Sequence, residues 1–137
     1  MGVRLRYAKV IDQYLFYSQG GRVHPGLSNK IVVNEEAGRA GAFLVLRGWG
    51  DGHGTFTEQW RIEARGGAIV YESVPRELHI ATTEHVERLQ DEVADLVLDD
   101  AADGYRAIFS IDERVVARVE LEVRAEVGGS TPTEPQA

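Results

Sequence analysis

Along most of this chain apolar and polar residues alternate one for one, the period of a half-buried β-strand. The alternation is clearest in "VVARVELEV", where Val115, Ala117, Val119, Leu121 and Val123 share one face. Arg118, Glu120, Glu122 and Arg124 take the other, and Asp112-Glu113-Arg114 joins this run to "YRAIFSI". "VRLRYA" sets Val3, Leu5 and Tyr7 against Arg4 and Arg6, and "YLFYS" reads as its continuation up to a turn at Gly20 and Gly21. "FTEQWRIEA" aligns Phe56, Trp60, Ile62 and Ala64, and Arg65-Gly66-Gly67 turns it into "AIVYES". "AFLVL" is apolar on both faces, as an interior strand is. With the short runs "KIVV" and "LHIA", the pattern predicts about 7–9 strands.

One segment departs from period two. In "TTEHVERLQDEVADLVL", Val86, Leu89, Val93, Leu96 and Val97 recur at helical spacing, which predicts a short helix near residues 83–94. Thr82 or Thr83 can cap its start, and Glu84 suits the positive end of its dipole. It reads as a connector closing one end of a sandwich, or as an exposed helix that a partner binds. From Gly128 on there is no large apolar residue. The expected organisation is a single β-sandwich domain over 1–126 and a disordered C-terminal tail over 127–137.

Several of these residues carry a resemblance. Leu46 and Trp60 are spaced like the first cysteine and the strand-C tryptophan of an immunoglobulin core, and "YRA" from Tyr105 to Ala107 sits where that fold has Tyr-x-Cys. The chain thus resembles an immunoglobulin-like or fibronectin-like β-sandwich. Its closing hairpin and its opening "YAKVIDQYLFYSQGG" look like those of small uncharacterised bacterial sandwich proteins. The resemblance implies an all-β, two-sheet immunoglobulin-like sandwich, with Tyr105 as a tyrosine-corner residue and Leu46 packing on Ala107 in place of a disulfide. It implies no activity.

The totals narrow the class. At 137 residues the chain fits one domain, and without cysteine it has no disulfide, thiol nucleophile or thiolate zinc site. The lack of cysteine also fits a reducing compartment. Fifteen basic against twenty-two acidic residues give a net charge of −7 with no offsetting Lys/Arg cluster, so no nucleic-acid partner is expected. "MGVRLRYAKV" lacks the apolar run of a signal peptide, and no segment approaches the ~20 apolar residues of a membrane helix. The expectation is a cytoplasmic protein with no membrane partner.

Candidate chemistry centres on "RGWGDGHGTF", where glycines alternate with Trp49, Asp51 and His53. An extended backbone would set those three side chains on one edge. Asp51 and His53 supply two metal ligands where a zinc site wants three or four, so the others would have to come from His24, His79 or His85. The stretch lacks the acids of a calcium loop and the Lys-Ser/Thr of a phosphate loop. It reads as a loop between strands, with Trp49 covering the sandwich edge or contacting a partner. None of Ser18, Ser28, Ser73 and Ser110 sits in a nucleophile elbow. The pairs Glu35-Glu36 and Asp99-Asp100 are sequence neighbours, which does not place carboxylates across a cleft. No catalytic residue, metal or cofactor is expected. "YLFY" carries aromatic residues on both faces of its expected strand, so Tyr14, Phe16 and Tyr17 join Trp49, Asp51 and His53 as interaction candidates.

Three functions fit this inventory. The first is a non-enzymatic module that binds another protein or itself, with a protein partner or homo-oligomer as its company. The second is a small-molecule-binding or lyase-like protein on a closed β-barrel, which requires an interior cavity. The third is an accessory subunit of a larger particle.

Overall fold

A computed structural model describes residues 2–23, 28–34, 38–98 and 104–126. Strands hold 63% of the described residues and helix 5%, so the chain is all-β. The elements run β1 (Arg4–Asp12), α1 (Gln13–Ser18), β2 (Lys30–Asn34), β3 (Arg39–Ala40), β4 (Phe43–Gly50) and β5 (Gly54–Ala64). They continue with β6 (Ile69–Glu72), β7 (Arg76–Ile80), β8 (Glu87–Val93), β9 (Tyr105–Ile111) and β10 (Arg114–Glu126).

Two sheets result. The smaller has the order β1-β4-β8 and is antiparallel throughout. The larger runs β3-β2-β10-β9-β5-β6, with β7 pairing the first half of β5 and β6 its second half. Within it β2 and β10 are parallel. One of the two sheets curls into a half-barrel, which departs from the plain two-sheet sandwich expected from the pattern.

The core lies between the sheets. Phe43, Val45 and Trp49 from β4 meet Trp60 and Ile62 from β5 and Ala107 and Phe109 from β9. From Ala117 on the alternation of β10 holds: Leu121 is buried, while Ala117, Val119 and Val123 are half-buried against the same core; Val115, across a register shift from Ala117, is half-buried but does not join that core. In β1 a bulge between Leu5 and Tyr7 reverses the faces, so Leu5, Ala8 and Val10 pack inward and Tyr7 turns out. Tyr7 therefore does not share a face with Val3 and Leu5.

Two sequence expectations fail here. "YLFYS" is helical. The Asp12 carboxylate accepts the Leu15 N–H at 3.0 Å as an N-cap, and Gly20 and Gly21 at positive φ stop the helix. In the other direction, the helix expected near 83–94 is absent. Residues 82–84 turn, and Glu87–Val93 forms the edge strand β8 with alternating burial. The inward positions of β8 are Glu87, Leu89, Asp91 and Val93. A carboxylate at Asp91 interrupts what would otherwise read as period two.

Leu46 and Ala107, which the resemblance would pack together, belong to separate clusters. Tyr105 is buried in the main one. Residues 127–137, His24, Glu35-Glu36 and Asp99-Asp100 lie outside the described residues. Among the described residues no helix is long and apolar enough to cross a membrane.

Candidate functional site

Every residue of β4 is buried, and its two faces differ in kind. On the outer face Leu44 and Leu46 pack with Ile11 of β1 and Phe16 of α1, with Leu15 and Val23 against them. The helix covers only part of this face. Beyond it opens a groove of about 670 Å³ whose lining includes Tyr7, Lys9, Phe16, Val23, Leu46 and Arg88. Cross-strand register sets Lys9 opposite Leu46 on one side of β4 and Arg88 opposite Gly48 on the other. The Tyr7 ring lies where a Cβ on residue 48 would be, so glycine lets the ring settle on the sheet. Tyr17 meets Phe16, which lines the groove, edge-on at 5.2 Å between ring centroids. Tyr14 and Tyr17 are 83% and 56% exposed, a large aromatic surface to leave in water.

On the inner face sits a charge cluster. Arg47 of β4 donates from Nε to Glu58 Oε2 at 2.6 Å and from Nη2 to Glu58 Oε1 at 3.0 Å, a two-pronged pair with both residues fully buried. Nη1 donates to the Val45 carbonyl at 3.1 Å, and Nη2 also reaches Asp91 Oδ2 at 3.1 Å. Trp49 Nε1 donates to Glu58 Oε2 at 3.4 Å and Trp60 Nε1 to Asp91 Oδ2 at 2.7 Å. Arg76, at the start of β7, completes the set on Asp91 Oδ1 at 2.9 Å. Two guanidinium groups thus balance two carboxylates, and the cluster ties β4 and β8 of one sheet to β5 and β7 of the other.

Burial alone would push the Asp91 carboxyl up. The Trp60 N–H and the charges of Arg47 and Arg76 outweigh it, and hold the group below the usual 3.8. A carboxylate so stabilised is a poor proton acceptor at neutral pH. It opens onto a cleft of about 290 Å³ with Tyr71, itself stacked on Trp60 at 5.2 Å between ring centroids.

The glycine-rich stretch separates its three candidates. Trp49 points into the core and is fully buried, so it covers no edge. Asp51 turns at φ 65° and faces Arg6 at 3.1 Å and Arg4 at 3.8 Å. His53 is exposed. The positive φ of Asp51 breaks the extended backbone that would have aligned them. Phe16 is buried and lines the groove, while Tyr14 and Tyr17 are exposed and outside its lining. Of the histidines named as further ligands, His79 faces Thr55 and His85 pairs with Glu87 at 2.8 Å. Among the described residues no three His, Asp or Glu side chains gather as a metal site.

No family model matches the chain, and no curated protein matches it. Among solved structures it is similar to the Pseudomonas fluorescens alkylpurine DNA glycosylase AlkC bound to DNA containing an abasic site analog. The TM-score is 0.48 at 11% identity, over 90% of this chain and 30% of that one. The chain thus spans under a third of that neighbour's length. The neighbour is bound to DNA, and on this finding the exclusion of nucleic acid from net charge is withdrawn. The likeness carries no ligand or activity to this chain.

Sequence reasoning did not bring Arg47, Glu58, Asp91 and Arg76 together as one cluster. A signal existed for three of them. Glu58 falls between Phe56 and Trp60 on the inward face of its strand, Arg47 between Val45 and Trp49, and Asp91 between Leu89 and Val93. Charges at inward positions of neighbouring strands imply one another, because a buried charge needs a partner.

Proposed function

We propose that this chain is a non-enzymatic interaction module whose outer groove receives a segment of another protein. The observation that carries this reading is the groove itself: about 670 Å³, lined by Phe16, Val23, Leu46 and the 42% exposed ring of Tyr7. Well-packed sheets leave such faces bare where something else covers them. The inner face supports the same reading, since its charges are satisfied by one another and its carboxylate is held ionised. The space between the sheets is filled by Trp49, Trp60, Phe43, Phe109 and the Arg47–Glu58 pair, which disfavours a ligand-holding barrel. We read the architecture as a variant of the immunoglobulin-like sandwich, supported by the buried Trp60 and Tyr105, and its setting as cytoplasmic, supported by the lack of cysteine.

Random dodecapeptides displayed on phage and selected on the wild-type protein test this reading. Peptides should emerge that lose binding to Leu46→Gln, whose groove floor is polar. Tyr7→Ser, which strips a half-exposed ring from the groove lining, provides the same comparison where Leu46→Gln unfolds. Selection that yields no peptide dependent on either residue overturns the reading.

A further inference from the structure

β8 is the open edge of the smaller sheet. It pairs with β4 alone, and its other side meets no strand among the described residues. The Gln13 N–H donates to the Ala42 carbonyl at 2.9 Å, so Ala42 turns its backbone toward β1. Antiparallel strands alternate in this respect, so Leu44, Leu46 and Gly48 also bond to β1, and Phe43, Val45, Arg47 and Trp49 bond to β8. Their partners on β8 are Val93, Asp91, Leu89 and Glu87. The backbone N–H and C=O groups of Arg88, Gln90 and Glu92 are therefore left to the outer edge. The same alternation turns the Val10 N–H to the far edge of β1, where the Asn29 side chain accepts it at 2.8 Å. That edge is partly satisfied within the chain, and the β8 edge is not.

The side chains at the three open positions match their own reverse. Arg88, Gln90 and Glu92 are all exposed, and no ion pair among the described residues uses Arg88 or Glu92. Laid antiparallel on a copy of itself with Gln90 opposite Gln90, the strand sets each Arg88 opposite a Glu92. Only registers that differ by two residues keep bare backbone groups facing one another. A shift of two either way sets one charge opposite Gln90 and the other opposite Val86 or Ala94. Charged edges discourage indiscriminate pairing, and an inward charge such as Asp91 does so when it lacks partners. Asp91 already has Arg47, Arg76 and Trp60, and the two signs that remain favour one register. Room for a further strand exists. The edge opens on the cleft of about 290 Å³ that Gln90 and Glu92 line together with Tyr71 and Val74, and Val74 is 83% exposed.

We infer that two copies of this chain join through β8, antiparallel about a two-fold axis at Gln90. The two small sheets merge into one with the order β1-β4-β8-β8-β4-β1. Each hydrogen-bonded pair of residues exchanges two backbone bonds, roughly six across the edge. The two Arg88–Glu92 pairs add modestly to that and fix the register. A patch that complements itself is what a two-fold dimer requires. The contact uses the strand edge and not the groove face, so it stands whether or not the groove receives a peptide.

Sedimentation equilibrium of the wild-type chain should give twice the chain's mass at high concentration, with dissociation on dilution. Arg88→Glu opposes two acids at each end of the contact, and Glu92→Arg opposes two bases. Each should weaken dimerisation about tenfold or more. Mixed in equal amounts, the two variants complement each other and should form a heterodimer of wild-type affinity. The doubly reversed chain, Arg88→Glu with Glu92→Arg, should self-associate like wild type. Because the chain has no cysteine, Gln90→Cys probes the axis directly. Opposed residues of a hydrogen-bonded pair stand about 5.5 Å apart between Cα atoms, within reach of a disulfide. Oxidised Gln90→Cys should run as a covalent dimer, and Arg118→Cys, exposed on β10, should not. A monomeric wild type overturns the inference, as does a dimer that both charge reversals leave intact. Weakened single variants that fail to complement in the mixture overturn it too, and so does Gln90→Cys that stays uncrosslinked.

Discussion

On the inward face of β4, Arg47 is fully buried and meets two carboxylates; on the outward face, one residue away, Leu46 floors an open groove. The inward face breaks the rule that charges stay out of a core, whereas the outward face keeps Leu44 and Leu46 buried beside Phe16 and leaves open only the groove next to them. Inside, the charge is tolerated because every prong of the guanidinium has an acceptor. Outside, Phe16 of α1 packs with Leu44 and Leu46, and the groove lies beside that contact. A violation that is fully partnered within the chain is a device for holding sheets in register.

The largest effects should come from breaking the inner face. Arg47→Met leaves Glu58 buried without its counter-charge, and should cost about 3–5 kcal/mol in urea unfolding. Adding Glu58→Leu should recover much of that, because Asp91 keeps Trp60 and Arg76. A double variant no better than the single one would show that the cluster contributes through shape and not through charge balance. Trp49→Ala, next to it on the same face, should cost a similar amount through the cavity left in the core.

Those inward charges also explain what the sequence could and could not show. β10 was legible because Ala117, Val119, Leu121 and Val123 alternate with four charged residues and no inward position is polar. β8 was not legible, since Asp91 occupies an inward position and the apolar residues that remain happen to fall at helical spacing. α1 was missed because its cap, Asp12, lies at the end of a strand, and six residues are too few to show helical period. The groove was invisible for a different reason. "AFLVL" reads as a strand covered on both sides, and only the register with β1 and the length of α1 decide how much of Leu46 is covered.

A smaller effect should follow at the half-buried end of the core. Val119 packs against the main cluster without being fully enclosed. Val119→Asp should cost about 2 kcal/mol, less than a fully buried site would, because the carboxylate can lean toward water. An unchanged melting temperature would place residue 119 on the solvent face and shift the register of β10 by one.

The charge cluster should also leave a mark on acid stability. The folded Asp91 carboxyl titrates below its ordinary 3.8, so folding favours its ionised form. The stability this adds is fully present above about pH 4 and is lost as pH falls through the lower folded value. Wild type should therefore exceed Asp91→Asn in urea midpoint at pH 7, and the gap should close as pH drops below 3.8. A gap that stays constant with pH would mean that the carboxylate gains nothing from Trp60, Arg47 and Arg76.

The smallest effect sits a few residues further along the same strand, where "GWGDGHG" leaves the sheet. Trp49 belongs to the core, whereas Asp51 and His53 belong to the loop, and the comparison between the two sides of β4 continues into it. Asp51 sits at φ 65° and pairs with Arg6 and Arg4, both well exposed. Exposed pairs of this kind contribute about 0–1 kcal/mol. Replacing Asp51 by Gly removes the pairs but relaxes a left-handed backbone, so the two changes oppose each other. His53 is exposed, and His53→Ala removes no buried surface. The combined Asp51→Gly, His53→Ala protein should therefore lie within about 0.5 kcal/mol of wild type. Zinc, nickel or calcium should leave its melting temperature and that of wild type equally unmoved. Metal-dependent stabilisation seen only in wild type would make the two residues ligands, and the loop would then be a site in its own right.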